Sequence, residues 1–377
     1  MNKIEIKKMM RNILIGVIAL VAITALGFKN IASLLIGILA INVILFIHEL
    51  GHFLVAKAVN MPVYEFSVGV GPKIYSKMVN SVEYCIRCIP LGGYVVFEKI
   101  EEENDEEECT PANNSVDDYR NIHPLKRVAV ILAGPIFNFL LAFIIIVGLY
   151  MGEGFATTTI GSIIEKSPAQ DYGLQVGDSI VSINDITINS WNDIVVITSQ
   201  NEDLSFKVNR NGKTEIIDVK SRLDDETNSY KIGISPQYKK DIFKSISNGA
   251  KTTIYNIKAS FDGYVKIIKD TFAKKEDSNV ELVGPIGTIQ TISESARYGF
   301  SSLLIMVFSM SISVGIFNLI PIIPNLDGGR LLFVLIEILR GGKQFSRKTE
   351  ENILVTGAYL LIGLFLFVTF KDLTSLF

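Results

Sequence analysis

The chain has 377 residues, of which 49% are hydrophobic and only 20% are charged. The apolar residues are clustered in runs that approach the roughly 20 residues needed to cross a bilayer, so a wholly soluble protein is excluded. The net charge of −3 gives no reason to expect nucleic acid as a partner, and three cysteines cannot form a disulfide scaffold.

Five apolar runs are predicted to be membrane helices, at 12–27, 31–58, 128–150, 301–323 and 352–370. The first lies in a basic N-terminal segment, residues 1–30, and has no small-residue cleavage site after it. We therefore interpret it as an extra helix or signal anchor, with a cleaved signal peptide as the alternative. The last run belongs to the C-terminal segment 352–377.

The distribution of positive charge predicts which side of the membrane each polar region occupies. The basic N-terminus and the basic segment 324–351 are both predicted to be cytoplasmic, which agrees with the number of spans between them. Residues 59–127 then lie in the cytoplasm, and residues 151–237 and 238–300 lie outside. The acidic run at 101–108 is predicted to be a solvated loop.

The second run contains the pattern H-E-x-x-H at residues 48–52. Four residues of helix place His48 and His52 on one face, where both imidazoles can bind one zinc ion. Glu49 lies about 100° further round the helix and can act as general base towards a water at the metal. Two core histidines beside a chance glutamate are the alternative, but ionisable residues within a membrane span are costly and usually functional.

A catalytic zinc site needs a third protein ligand, and Asp327 is the candidate that we favour. It follows the inward-running fourth span directly, so it is expected at the same membrane face as the histidines. The alternative interpretation is a helix N-cap or turn residue before Gly328 and Gly329. The third histidine, His123, lies beside a proline and two basic residues and is interpreted as a juxtamembrane loop residue.

These features resemble the site-2 proteases, the intramembrane zinc metalloproteases, and specifically their bacterial PDZ-containing branch. The resemblance extends over nearly the whole chain after about residue 35. It is carried by HELGHF at 48–53, IPLGGYV at 89–95, LAGPIFNF at 132–139, GPIG at 284–287 and NLIPIIPNLDGGR at 318–330. One departure is that two residues separate Pro321 from Pro324 where the family pattern usually has one, which lengthens the stretch from Asn318 to Asp327 by one residue.

The resemblance implies roles for individual residues. It implies that zinc is bound by His48, His52 and Asp327, that Glu49 is the general base, and that Asn318 helps to hold the substrate backbone or an oxyanion. It also implies a membrane-associated β-element near the active site. Residues 81–97 are predicted to form a hairpin edge around Gly92 and Gly93 that binds unwound substrate by strand addition, with the substrate-binding residues Gly92, Gly93 and Tyr94.

Other regions receive more modest predictions. Cys85 and Cys88 are interpreted as structural, since no second CxxC pair accompanies them. Residues 151–237 resemble one PDZ domain, which either binds an extended peptide or only excludes bulky substrates. Residues 238–300 are predicted to form an amphipathic connector on the outer membrane surface.

Together these arguments predict a polytopic α-helical membrane protein with about four core transmembrane helices and an extra N-terminal one. It carries a cytoplasmic-side β-element and one extracytoplasmic PDZ domain, and it lies in the plasma membrane of a bacterial cell. The predicted function is a zinc endopeptidase that cuts single-pass transmembrane segments of protein substrates, such as anti-sigma factors or remnant signal peptides. The alternatives are a membrane-anchored zinc protease for soluble or misfolded proteins and a non-enzymatic zinc-binding or PDZ scaffold. The oligomeric state stays open.

Overall fold

The computed structural model describes residues 31–97, 119–224, 228–272 and 284–374. The predicted helix at 12–27 and the acidic run at 101–108 lie outside these ranges. The chain divides into two compact units, one formed by residues 1–146 with 252–377 and the other by residues 147–251. Each unit is described by itself.

In chain order, the helices of the described residues are α1 (Ile31–Ala58), α2 (Pro124–Gly152), α3 (Pro168–Asp171), α4 (Trp191–Gln200), α5 (Ile242–Phe272), α6 (Pro285–Arg297), α7 (Phe300–Asn318), α8 (Asp327–Leu339) and α9 (Arg347–Thr374). The strands are β1 (Glu65–Val79), β2 (Val82–Val96), β3 (Phe155–Ile163), β4 (Ser179–Ile183), β5 (Ile186–Thr187), β6 (Asp203–Arg210), β7 (Lys213–Lys220), β8 (Arg222–Asp224), β9 (Ser229–Lys231) and β10 (Ile234–Lys239).

Within the described residues, four helices are long and apolar enough to cross a membrane: most of α1, all of α2 and α7, and most of α9. They correspond to the four core spans predicted from sequence. The predicted end of the fourth span at residue 323 is wrong, because α7 ends at Asn318. Pro321 lacks the N–H that a continuing helix needs, and the residue before a proline is driven out of the helical conformation.

The segment 324–351, predicted to contain the metal-ligand loop NLDGG and a basic cytoplasmic segment, is largely helical. Residues 327–339 form α8, and α9 begins at Arg347. In α8, Val334 and Glu337 lie three residues apart on one face of the helix, and both are buried. Glu337 accepts a hydrogen bond from Arg127 of α2 at 2.5 Å, so a buried ion pair attaches α8 to the start of α2.

The β-element is present as the paired strands β1 and β2, and it contains a tight turn that the sequence analysis did not predict. The two-residue turn between β1 and β2 is Asn80–Ser81, with φ values of 48° and 63°. Two successive left-handed residues form the turn type that matches the twist of a hairpin. Residues 65–68 pair on one side with residues 83–86 and on the other with residues 93–96, and Gly92 at φ 83° lies where β2 turns back.

Helix α6 packs closely against α1, the helix that is predicted to bind the metal. A Cβ at Gly37 of α1 would lie 2.8 Å from Ser293 Oγ and 2.9 Å from Ile289 O of α6. At the start of α6, the backbone N–H groups of Gly284 and Gly287 donate to the carboxylate of Asp372 at 2.9 Å each. The GPIG motif is therefore a helix N-terminus that is capped by a carboxylate from the end of α9.

The second unit contains a six-stranded sheet in the order β10-β3-β4-β6-β7, with β5 paired to β4. Strands β6 and β7 meet at Asn211–Gly212, where the sequence predicts a hairpin. The core of the unit is apolar and nearly inaccessible to solvent, with Ile160, Ile183, Phe206 and Val208 at its centre.

An ion pair inside this unit predicts how its stability depends on pH. Asp178 is 1% exposed, and Arg210 donates to its two carboxylate oxygens at 2.7 Å each. Burial raises the pKa of Asp178, but hydrogen bonds from Arg210 and the Gln175 N–H outweigh burial and lower it overall. A lowered folded-state pKa means that this stabilisation is present above the unfolded pKa of about 3.9 and is lost as the pH falls further.

We expect Asp178→Asn to destabilise the unit by about 3 kcal/mol at pH 7, because Arg210 is left without its buried partner. Glu215→Gln, which alters a 42% exposed partner of the same arginine, should cost less than about 1 kcal/mol. Urea unfolding of the full chain can be followed by the fluorescence of its single tryptophan, Trp191, which packs against this core. Equal effects of the two variants would contradict the prediction.

Candidate metal centre

Helix α1 presents two histidines one turn apart on one face. The rings of His48 and His52 have centroids 4.9 Å apart, and the two residues are only 5% and 7% exposed. This follows directly from the i, i+4 spacing, since a helical turn has 3.6 residues. The local pattern H-E-x-x-H therefore produces the pair without help from the rest of the fold.

Helix α8 brings a carboxylate to the same point. Asp327 Oδ2 lies 3.0 Å from His48 Nε2 and 3.3 Å from His52 Nε2. Burial raises the pKa of Asp327, but its contacts with the two histidines outweigh burial and hold it well below its usual range. The side chain is therefore a carboxylate at neutral pH. Asp327 is the first residue of α8 and Leu326 is the N-cap, so the alternative interpretation of Asp327 as the N-cap is wrong.

Two glycines allow Asp327 to reach this position. A Cβ at Gly328 would lie 2.3 Å from Leu319 O, and one at Gly329 would lie 2.4 Å from Ile323 O. Both distances are far below a van der Waals contact. The loop after α7 can fold back against the first turn of α8 only because these residues have no side chain, and this close packing fixes the carboxylate beside the histidines.

Helix α2 supplies groups behind the imidazoles. His52 Nδ1 is 2.8 Å from Val130 O, and His48 Nδ1 is 3.1 Å from the amide of Asn138. With Nδ1 of each ring engaged by α2, both Nε2 atoms face Asp327. The fully buried Asn138 Oδ1 has no hydrogen-bond partner within the described residues. If this amide is rotated by 180°, Asn138 Oδ1 accepts a hydrogen bond from the Nδ1–H of His48. This is the arrangement that suits an imidazole whose Nε2 binds a metal.

Gly134, between Val130 and Asn138 on α2, leaves the space in front of the histidines empty. A Cβ there would lie 2.3 Å from His52 Nε2 and 2.7 Å from His48 Nε2. Two imidazole nitrogens and one carboxylate oxygen within 4.8 Å of one another form a donor set that suits zinc. The residues present therefore fit a metal ion bound by His48, His52 and Asp327.

The remaining predicted site residues surround a cavity of about 290 Å³ that contains the metal donors. Glu49, Tyr94 and Asn318 line it. A Cβ at Gly93 would lie 3.5 Å from Glu49 Cγ and 2.5 Å from Ser67 O, so residues 93–96 pass close to Glu49. The amide nitrogen of Asn318 donates to Val314 O at 3.0 Å, which leaves its second N–H for another acceptor.

Tyr94 also has contacts within the β-element, whereas Gly92 and His123 lie outside the cavity lining. The Tyr94 hydroxyl donates to Glu65 at 2.9 Å, and the Arg87 guanidinium lies over the Tyr94 ring. A Cβ at Gly92 would have no neighbour within 4 Å. His123 lies at the start of α2, where its Nδ1 accepts the Leu125 N–H, outside the group of metal donors.

A second group of possible donors occurs in the β-element, where Cys85 lies near Glu65 and Glu83. Both carboxylates are already paired, Glu65 with Arg87 at 2.7 Å and Glu83 with Lys73 at 2.8 Å. Burial, with Glu65 nearby, raises the pKa of the Cys85 thiol to about 11. Because both carboxylates already have cationic partners, we interpret this group as structural.

Sequence reasoning missed the part that α2 plays at the site. Val130, Gly134 and Asn138 are spaced i, i+4 and i+8, so they form one stripe of α2 facing His48 and His52. The small and polar residues of LAGPIFNF signalled close packing only. A carbonyl oxygen such as that of Val130 leaves no sequence signal, because every residue has one.

Comparison with known proteins identifies the family of this chain. The family model described as Peptidase family M50 matches residues 36–364. A Fusobacterium nucleatum protein is 34% identical over 355 residues, covering 92% of this chain and 99% of that protein. A Clostridium acetobutylicum protein is 31% identical, covering 90% and 97% respectively, and a Campylobacter jejuni protein is 33% identical, covering 96% and 99%. Each carries the name "Putative zinc metalloprotease".

Solved structures also match, among them the PDZ domain of an SdrC-like protein from Listeria monocytogenes. It is 21% identical, covers 22% of this chain and 88% of that chain, and has a TM-score of 0.20. The matches over nearly the full length confirm the resemblance drawn from the sequence motifs. This chain belongs to peptidase family M50, the site-2 protease family.

Proposed function

We propose that this protein is a zinc-dependent endopeptidase that hydrolyses peptide bonds within single-pass transmembrane segments. The observation that carries the proposal is the meeting of three donor atoms, from His48, His52 and Asp327, within 4.8 Å of one another. Two of these residues lie in a helix apolar enough to span a membrane. A metal centre at that place can act on a substrate that is itself in the bilayer.

The chemistry divides between the metal and the chain. When bound, zinc polarises a peptide carbonyl and makes a water molecule more acidic. Glu49, beside the metal donors in the same cavity, accepts the proton of the attacking water and then delivers it to the leaving nitrogen. The second N–H of Asn318 lines the same cavity and is suited to hold the substrate carbonyl as negative charge develops on it.

A transmembrane helix resists hydrolysis because its backbone groups are already bonded within the helix. The β-element offers an alternative set of partners. Residues 93–96 pair with residues 65–68 on one side only among the described strands, and they pass beside Glu49. An unwound substrate that adds to this edge receives main-chain hydrogen bonds that require no particular side chains. Gly93 and Tyr94 are then substrate-binding residues, with Gly92 allowing the strand to turn.

The membrane arrangement belongs to the same proposal. Charge distribution places the β-element and α8 on the cytoplasmic side, and residues 151–237, proposed to be a PDZ domain, outside. The protein then lies in the plasma membrane of a bacterial cell, with its N-terminus in the cytoplasm. Anti-sigma factors and remnant signal peptides are the proposed substrate classes, because they present single membrane segments.

The position of the cleaved bond tests this function. The full chain, reconstituted with zinc, should cut a single-span substrate inside its hydrophobic segment, as located by mass spectrometry of the fragments. A chelator should stop cleavage and added zinc should restore it. Matched substrates with the hydrophobic segment replaced by a polar linker should remain intact. Cleavage confined to soluble or unfolded segments would instead support a membrane-anchored protease for misfolded proteins.

A further inference from the structure

A second and larger cavity of about 410 Å³ adjoins the metal cavity. The two cavities share the lining residues Tyr94, Val95, Phe97, Tyr119 and Arg330. The larger one extends between the end of β2, the start of α2, helix α8 and the start of α9. A polypeptide that follows the edge of residues 93–96 past Glu49 would therefore enter this second cavity on one side of the scissile bond.

The charged residues that line the larger cavity are not equivalent. Arg127 is paired with Glu337 at 2.5 Å, and Arg120 lies 3.7 Å from Glu350. Arg120 also donates to Gln344 and to the Phe345 carbonyl. Arg330 has no side-chain hydrogen bond or ion pair with any residue in the described part of the chain. Within the described residues, the lining therefore carries two paired arginines and a third, Arg330, that makes no hydrogen bond or ion pair and has the Glu49 carboxylate as a more distant charged neighbour.

The position of Arg330 is set by the metal ligand itself. Asp327 and Arg330 are three residues apart at the start of α8, which places them on the same face of the helix. Asp327 faces the histidines, and Arg330 lines both cavities one turn further along. A guanidinium is always charged and presents a planar fork of donors that matches a carboxylate.

Resting on the proposed peptidase function, we propose that the larger cavity is a substrate subsite in which Arg330 binds a carboxylate of the bound polypeptide. Two sources supply this chemistry: the C-terminal carboxylate that hydrolysis creates, and an acidic side chain close to the scissile bond. In either case Arg330 is a specificity-determining residue. Its guanidinium forms hydrogen bonds to a carboxylate only when polypeptide is bound.

Binding of three labelled peptides to the full chain with zinc tests the proposal. The first peptide is neutral with a free C-terminal carboxylate, the second is its carboxamide, and the third is a carboxamide with one aspartate near its end. Fluorescence anisotropy gives the Kd of each. We expect the wild type to prefer one carboxylate peptide over the neutral carboxamide, and the preferred peptide identifies the source of the carboxylate.

Arg330→Gln should reduce that preference roughly 10- to 100-fold, because a charge-assisted hydrogen-bonded pair is lost. Arg330→Lys, which keeps the charge but not the fork, should retain an intermediate preference. Arg340→Gln is the matched control, since Arg340 lies at the end of the same helix, stacks on Phe345 and lines neither cavity. Zinc content, measured on every variant, separates this effect from loss of the metal.

No preference in the wild type, or an unchanged preference in Arg330→Gln, would overturn the proposal. Binding requires no turnover, so the two proposals fail separately. A chain that shows the preference but cuts no transmembrane substrate would leave the subsite intact and refute the function. A chain that cuts such substrates but shows no preference among the peptides would support the function and refute the subsite.

Discussion

Replacing Glu49 by Gln will lower kcat for a single-span substrate by roughly 10²- to 10⁴-fold, the range that a positioned general base contributes. Glutamine has nearly the same shape but cannot accept the proton of the attacking water. Because Glu49 lines the cavity without belonging to the group of metal donors, zinc binding should be unaffected. The measurements are initial rates and metal content of the purified full chain.

Glu351→Gln provides the control for this experiment. Glu351 is an exposed residue of α9 outside both cavities, so its replacement should leave both the rate and the zinc content unchanged. A Glu49→Gln enzyme that keeps more than half of the wild-type rate would remove Glu49 from the chemistry. Loss of zinc in that variant would instead show that Glu49 helps to hold the metal.

Adding a single methyl group at Gly134 will weaken zinc binding. The new Cβ of Gly134→Ala would lie 2.3 Å and 2.7 Å from the two Nε2 atoms that face Asp327. Either the histidines move or α2 moves away from α1, and both changes spoil the donor geometry. Overpacking of this kind costs about 1–3 kcal/mol, which corresponds to a loss of roughly 5- to 150-fold in zinc affinity.

Gly148→Ala is a closely matched comparison for Gly134→Ala. Gly148 lies in the same helix, and a Cβ there would have no neighbour within 4 Å. The Gly148→Ala protein should therefore bind zinc and cleave substrate like the wild type. Zinc affinity, measured by competition with a chromophoric chelator, distinguishes the two variants without depending on activity. Normal zinc affinity in Gly134→Ala would show that the ion is not held between His48 and His52.

How much the sequence predicts depends on how far apart in the chain the interacting groups lie. His48 and His52 could be paired from sequence, because one helical turn sets their spacing whatever surrounds them. The membrane helices were predictable for a similar reason, since the length of an apolar run and the thickness of a bilayer are both local quantities. The order of the motifs was enough to indicate the M50 family.

Errors occurred where long-range packing overrides a local pattern. The tight turn Asn80–Ser81 was not predicted, and neither was the pairing of residues 65–68 with both residues 83–86 and residues 93–96. The segment after Asp327 contains glycines and basic residues that resemble a loop, yet it forms α8. Its burial of Val334 and Glu337 against neighbouring elements could not be read from the segment alone.

By itself, then, the sequence determined the histidine pair, the membrane helices and the candidate acid–base residue, since each depends on neighbours in the chain. Only the tertiary structure decided that Asp327 approaches His48 to 3.0 Å across 279 residues of chain. It likewise decided that Val130 and Asn138 orient the rings, that Gly134 leaves room for an ion, and that Arg330 is left unpaired beside them. These contacts arise from close packing between helices that are distant in the chain. A backbone carbonyl, the absence of a side chain and the absence of a hydrogen-bond partner leave no pattern of their own in the sequence.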